Sequence, residues 1–164
     1  MVVSDFIFVR YFLQVEISSS TLKLMKKQKN EETYSGSDNE VLRGQKKIPG
    51  LHLIGDFYDC KCNTEILWNI DPVRQKCLAF VETVGLHAVG DKFHKFEGGG
   101  ITGMVVLAES HMSVHTWPER GYVSVDVYVC SYTVDNRPQG KELYRLLVDL
   151  FKPETEKTKL VERM

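Results

Sequence analysis

Between Thr102 and Cys130 the chain reads as three period-2 runs, Thr102–Leu107, His111–Trp117 and Tyr122–Cys130, separated only by residues 108–110 and 118–121. Within the runs apolar residues alternate with polar ones, as in Val123, Val125, Val127 and Val129, the pattern of a strand with one buried face. Links this short turn a chain back beside itself but cannot carry the long crossover that joins parallel strands. The middle of the chain is therefore committed to antiparallel pairing.

The flanks supply the other layer. Leu51–Tyr58 reads as a first strand with one buried face, and His87–Phe96 as a second. Between them, Asp71 as cap and Pro72 at the first position predict a helix that places Val73, Cys77, Phe80, Val81 and Val84 on one side, with Gly85 as its stop. Gly98-Gly99-Gly100 reads as a flexible connection that lets backbone approach a pocket closely, and no Lys-Ser/Thr follows at phosphate-loop spacing. A second helix from Pro138 is predicted to bury Leu143, Leu146, Leu147, Leu150 and Phe151, and Lys157–Glu162 to close the domain as a short strand. The order β-α-β-β-β-α-β predicts an α+β fold: a two-layer α/β sandwich, its mostly antiparallel sheet covered by helices on one face. The other sheet face then needs cover.

Of 164 residues, 43% are hydrophobic and 26% charged, enough for one buried core. The net charge of -1 gives no electrostatic reason for nucleic acid or an anionic membrane as partner. Phe6–Leu13 is apolar but too short to span a bilayer, and Lys26 to Lys47 is polar, so residues 1–47 read as an N-terminal extension and linker, and 48–164 as the working domain. The N-terminal boundary carries one further expectation, that Met25 is the native start. With no convincing signal peptide the four cysteines are expected to be reduced, and the protein cytoplasmic. Cys60-Lys61-Cys62 lacks a second pair or a histidine at ligand spacing, so no metal is expected.

Leu107–Glu119 concentrates the chemistry: a hydroxyl at Ser110, imidazoles at His111 and His115, and carboxylates at Glu109 and Glu119. Ser110 falls at a strand break, Ser113, His115 and Trp117 share one strand face, and a turn at Ser110 would let His115 fold back toward it. Trp117 is read as a core aromatic. One use of this arrangement needs no outside reagent. Ser110 Oγ attacks the carbonyl of Glu109, a base removes the serine α-proton, and elimination followed by hydrolysis leaves a pyruvoyl group on the downstream fragment. That ketone is an electron sink, able to form a Schiff base with a substrate amine and stabilise the carbanion left by CO2 loss.

The run Ala108-Glu109-Ser110-His111 to His115-Thr116-Trp117-Pro118-Glu119, followed by Asp126-Val127-Tyr128-Val129-Cys130, closely resembles the short prokaryotic S-adenosylmethionine decarboxylase proenzymes, more weakly from Gly50 to about Phe151. The resemblance implies self-cleavage into a β chain ending at Glu109 and an α chain starting at Ser110, the pyruvoyl precursor. It implies His115 as processing base, Cys130 as proton donor after decarboxylation, and Thr102, where the family usually has serine, as a processing aid. Phe96 and Glu119, with Glu97 and His111, are the expected substrate contacts. It further implies a homodimer of αβ protomers, an αββα assembly with active sites near the interface, making the aminopropyl donor for spermidine.

The chain departs from the family at Glu97-Gly98-Gly99-Gly100, at Arg120 in place of tyrosine, and at Ser131 in place of glycine. A carboxylate such as Glu97 would suit a distal ammonium, which keeps ornithine or arginine open as substrate, with putrescine or agmatine as product. An inactive regulatory paralogue, and a hydrolase using Ser110 or Cys130 with His115 and Asp126, are the readings from other classes.

Overall fold

The computed structural model describes residues 48–164 except 133; the expectations for the N-terminal extension and Met25 lie outside the described residues. Val123, Val125, Val127 and Val129 of strand β5 (Tyr122–Val129) are all fully buried. The same alternation buries Ile101, Val105 and Leu107 of β3 (Ile101–Leu107) and Met112 and Val114 of β4 (Ser110–Trp117). Each such side chain contributes roughly 1.5–3 kcal/mol against its exposed state. With β1 (Gly50–Tyr58), β2 (Ala88–Lys95) and β6 (Thr155–Arg163) these strands form one six-stranded sheet, order β2-β3-β4-β5-β1-β6, with every neighbouring pair antiparallel. The α+β sandwich is as read from the pattern.

Among the described residues three helices pack on the buried face: α1 (Thr64–Trp68), α2 (Ile70–Thr83) and α3 (Arg137–Phe151). The short α1, capped by the Asn63 side chain, is an element the sequence reading missed. Asp71 is not the cap of α2; Asn69 holds that position, and Asp71 lies in the first turn, where its charge suits the positive end of the helix dipole. Val73, Cys77 and Val81 are buried as expected, Phe80 and Val84 only half so, and Gly85 follows at a φ of 78°. Helix α3 starts one residue before Pro138. It buries Leu143, Leu147 and Phe151 as expected and also Tyr144, while Leu146 and Leu150 are half-buried. Arg74 Nε and Nη2 clamp Asp91 at 2.6 and 2.8 Å, tying α2 to β2 and holding the Asp91 carboxyl below its usual range.

Among the described residues nothing covers the opposite face. Its side chains, set by the register Thr102↔His115, Met104↔Ser113 and Val106↔His111, include Met104 and Val106, each 43% exposed. Trp117 stands on this face too, 37% exposed, so it is not a core aromatic. It stacks 5.0 Å from Tyr122, which stacks 5.2 Å from Tyr58, making an aromatic ladder across the open face.

Candidate active site

At the head of β4 a tight link carries the chain out of β3 through Ala108 and Glu109. Ala108 N–H donates to His87 O at 2.9 Å, and the Glu109 carboxylate accepts from His87 N at 3.1 Å and pairs with His87 Nδ1 at 2.8 Å. Burial raises the Glu109 carboxyl, but the hydrogen bonds from His87 outweigh it and hold the group below its ordinary value. Ser110, next in line, has a φ of 144°, a conformation that costs a residue with a Cβ on the order of 1–3 kcal/mol. The peptide bond between Glu109 and Ser110 is thus gripped on one side and strained on the other.

Register places Ser110 opposite Val129, so Cys130 arrives beside it. Cys130 N–H donates to Glu109 O at 2.8 Å, a contact that draws electrons from the carbonyl carbon and steadies negative charge on that oxygen. Asn136 holds this turn from behind: its Nδ2 donates to Cys130 O at 2.9 Å, and its N–H to Ser131 Oγ at 3.2 Å. Ser110 Oγ hydrogen-bonds His111 Nδ1 at 3.2 Å.

The cavity lies at the other end of β4. It holds about 440 Å3 and is lined by Phe96, Glu97, Gly98, Gly99, Ile101, Thr102, His115, Thr116, Trp117 and Glu119. Thr102 Oγ1 and His115 Nδ1 are 2.7 Å apart across the β3–β4 pair, so the hydroxyl orients the imidazole. Buried Thr116 accepts from Ile101 N–H at 2.9 Å and donates to Leu67 O at 2.8 Å, fixing the cavity floor to α1. Gly100 has a φ of 85°, and a Cβ there would lie 2.6 Å from Thr116 O, so the β2–β3 loop closes over the cavity only with glycine. Phe96, 51% exposed, stands at the rim edge-to-face with His94. Glu119, on a 3-10 turn over Pro118–Arg120, pairs with Arg120 Nε at 3.7 Å.

The structure therefore brings the predicted residues together as two sets. Glu109, Ser110, His111 and Cys130 form one, and Phe96, Glu97, Thr102, His115 and Glu119 the other. His115 does not fold back toward Ser110: β4 runs unbroken between them, and that length of strand separates them by roughly 17 Å at about 3.3 Å per residue. His87, Thr116 and Trp117 are site residues that sequence reasoning missed. His87 meets Glu109 only through the β2–β3 pairing, a contact no local pattern announces. Among the described residues no three of His, Cys, Asp and Glu cluster as a metal ion requires, and no helix is long and apolar enough to cross a membrane.

A family model described as S-adenosylmethionine decarboxylase matches residues 51–164. The S-adenosylmethionine decarboxylase proenzyme of Thermosipho melanesiensis is 42% identical over 89 residues, 54% of this chain and 67% of that one. The proenzyme of Persephonella marina is 32% identical over 117 residues, 71% of this chain and 84% of its own. The crystal structure of the adenosylmethionine decarboxylase from Aquifex aeolicus superposes with a TM-score of 0.64 at 28% identity, covering 72% of this chain and 92% of that one. With the sheet, the strained Ser110 and the Thr102–His115 pair in place, these matches establish that the chain belongs to the S-adenosylmethionine decarboxylase family.

Proposed function

We propose that the chain cleaves itself between Glu109 and Ser110, and that the resulting pyruvoyl enzyme decarboxylates S-adenosylmethionine at sites shared by two copies of the chain. The carrying observation is the Cys130 N–H bond to Glu109 O beside the strained Ser110. It supplies the electrophile, and the strain makes the amide the weaker partner in an exchange for an ester. The same surroundings fit the group that cleavage leaves, since Cys130 follows the residue paired with Ser110 and is only partly buried. The pyruvoyl group supplies the carbonyl that withdraws electrons from the substrate carbon losing CO2.

The chain's own residues do the rest. Cys130 returns a proton to that carbon. His115, oriented by Thr102, removes the Ser110 α-proton during processing. Phe96 offers its face to the adenine, and Glu119 its charge to the sulfonium. His115 can serve Ser110 only from a second copy, because one strand separates them within a chain. Met104 and Val106, half-exposed on the open sheet face, support a two-fold dimer formed through that face. The family supports S-adenosylmethionine rather than ornithine or arginine, and an active enzyme rather than a regulatory paralogue.

Intact-mass spectrometry followed by CO2 release tests the proposal. Two fragments meeting at Glu109 and Ser110, the smaller blocked by pyruvoyl, with release from S-adenosylmethionine, are expected. A single intact chain that releases no CO2 overturns it.

A further inference from the structure

We infer that His111 is the base that starts self-cleavage, taking the proton from the Ser110 hydroxyl; this rests on the cleavage at Glu109–Ser110 proposed above and adds the base for its first step. The imidazole on the Ser110 hydroxyl is His111, with Nδ1 3.2 Å from Oγ, whereas His115 of the same chain is occupied by Thr102 Oγ1 at 2.7 Å. The His111 ring is held in place. It meets Tyr128 edge-on at 5.8 Å between centroids and His52 at 6.4 Å, and His52 Nε2 is fixed by Asp126 Oδ1 at 3.1 Å. Asp126 in turn accepts from Ser113 Oγ at 3.3 Å. A base must be within hydrogen-bond reach of its proton and orientationally fixed, and His111 meets both conditions.

The step balances within the chain. The Ser110 Oγ proton passes to His111 Nδ1 as Oγ forms a bond to the Glu109 carbonyl carbon, and the carbonyl electron pair moves to Glu109 O, where the Cys130 N–H receives it. The bond from that carbon to Ser110 N then breaks, the carbonyl re-forms as an ester, and the proton on His111 goes to the departing nitrogen. One proton has moved from oxygen to nitrogen and His111 is neutral again. Removal of the Ser110 α-proton is left to His115, so two imidazoles divide two proton transfers.

Cell-free synthesis of the full chain with a timed chase, read by intact mass, tests this. His111→Ala and His111→Gln are expected to cleave at least about 100-fold more slowly than wild type, and added imidazole to restore His111→Ala. Hydroxylamine, which cuts an ester but not an amide, is expected to release no fragment from uncleaved His111→Ala. Cleavage of either variant within about threefold of wild type, slowed cleavage that imidazole does not restore, or a hydroxylamine-released fragment from His111→Ala overturns the assignment. A wild-type chain that stays intact overturns the cleavage reading itself, and is seen in the wild-type sample alone.

Discussion

The two ends of β4 are built by opposite means. At the Ser110 end stand the groups that the proposed cleavage would use: a strained φ, a polarised carbonyl, a gripped carboxylate and a cysteine. At the His115 end there is a cavity of about 440 Å3 with an oriented imidazole, an aromatic rim and two carboxylates, but no nucleophile. A strand is a ruler, and residues it sets apart along its axis cannot be brought together by side-chain rotation. The comparison teaches that one chain holds the candidate residues at the two ends of a single strand, and the proposed pairing of two copies is what would join them.

If the two ends act on each other between copies, damage at the cavity end must slow bond-breaking at the other. Thr102→Val removes the hydroxyl that orients His115, and is expected to slow cleavage at Ser110 roughly 100-fold in an intact-mass time course, with the fold unchanged by circular dichroism. Cleavage at the wild-type rate would break the comparison. Thr116→Val leaves Ile101 N–H and Leu67 O buried without their partner, and is expected to cost about 2 kcal/mol in a denaturant titration. His87→Ala removes the side-chain hydrogen bond to the Glu109 carboxylate, keeping the one from the backbone N–H, and is expected to slow cleavage about fivefold, the equivalent of about 1 kcal/mol for one hydrogen bond.

The smallest effect is one of pH. Against the effect of burial, the hydrogen bonds from His87 hold the folded Glu109 carboxyl below its ordinary value, so its contribution is present above that ordinary value and is lost as pH falls through the lower folded one. A melting-temperature series from about pH 6 to pH 3 should therefore show an acid-side loss that His87→Ala reduces. An identical acid limb in both proteins would remove His87 as the cause.

Much of this was legible beforehand. The valines of β5 and the short links around β4 are direct readouts of pleat and pairing, and they held because one sheet face is fully covered. Trp117 misled because a large aromatic in a strand is by default a core residue, whereas here it stands partly exposed in a ladder with Tyr122 and Tyr58. Asp71 misled because Asn69 stands two residues earlier and ends α1 while opening α2. The residues of the site were named from a resemblance, but their division into two sets was hidden, since closeness in sequence reads as closeness in space unless the strand between is taken at its full length. The alternation itself held the clue: Ser113, His115 and Trp117 share a face and Ser110 has the other parity.

The most direct test of the shared site is to co-express Ser110→Ala and His115→Ala chains of distinguishable mass and look for cleavage of the His115→Ala chain. A mixed dimer joins the intact Ser110 of one chain to the intact His115 of the other, so the account predicts that the His115→Ala chain is cleaved in the mixture and not when expressed alone. If it stays whole in mixed dimers verified by native mass spectrometry, Ser110 and His115 do not work across two copies, and the account is contradicted.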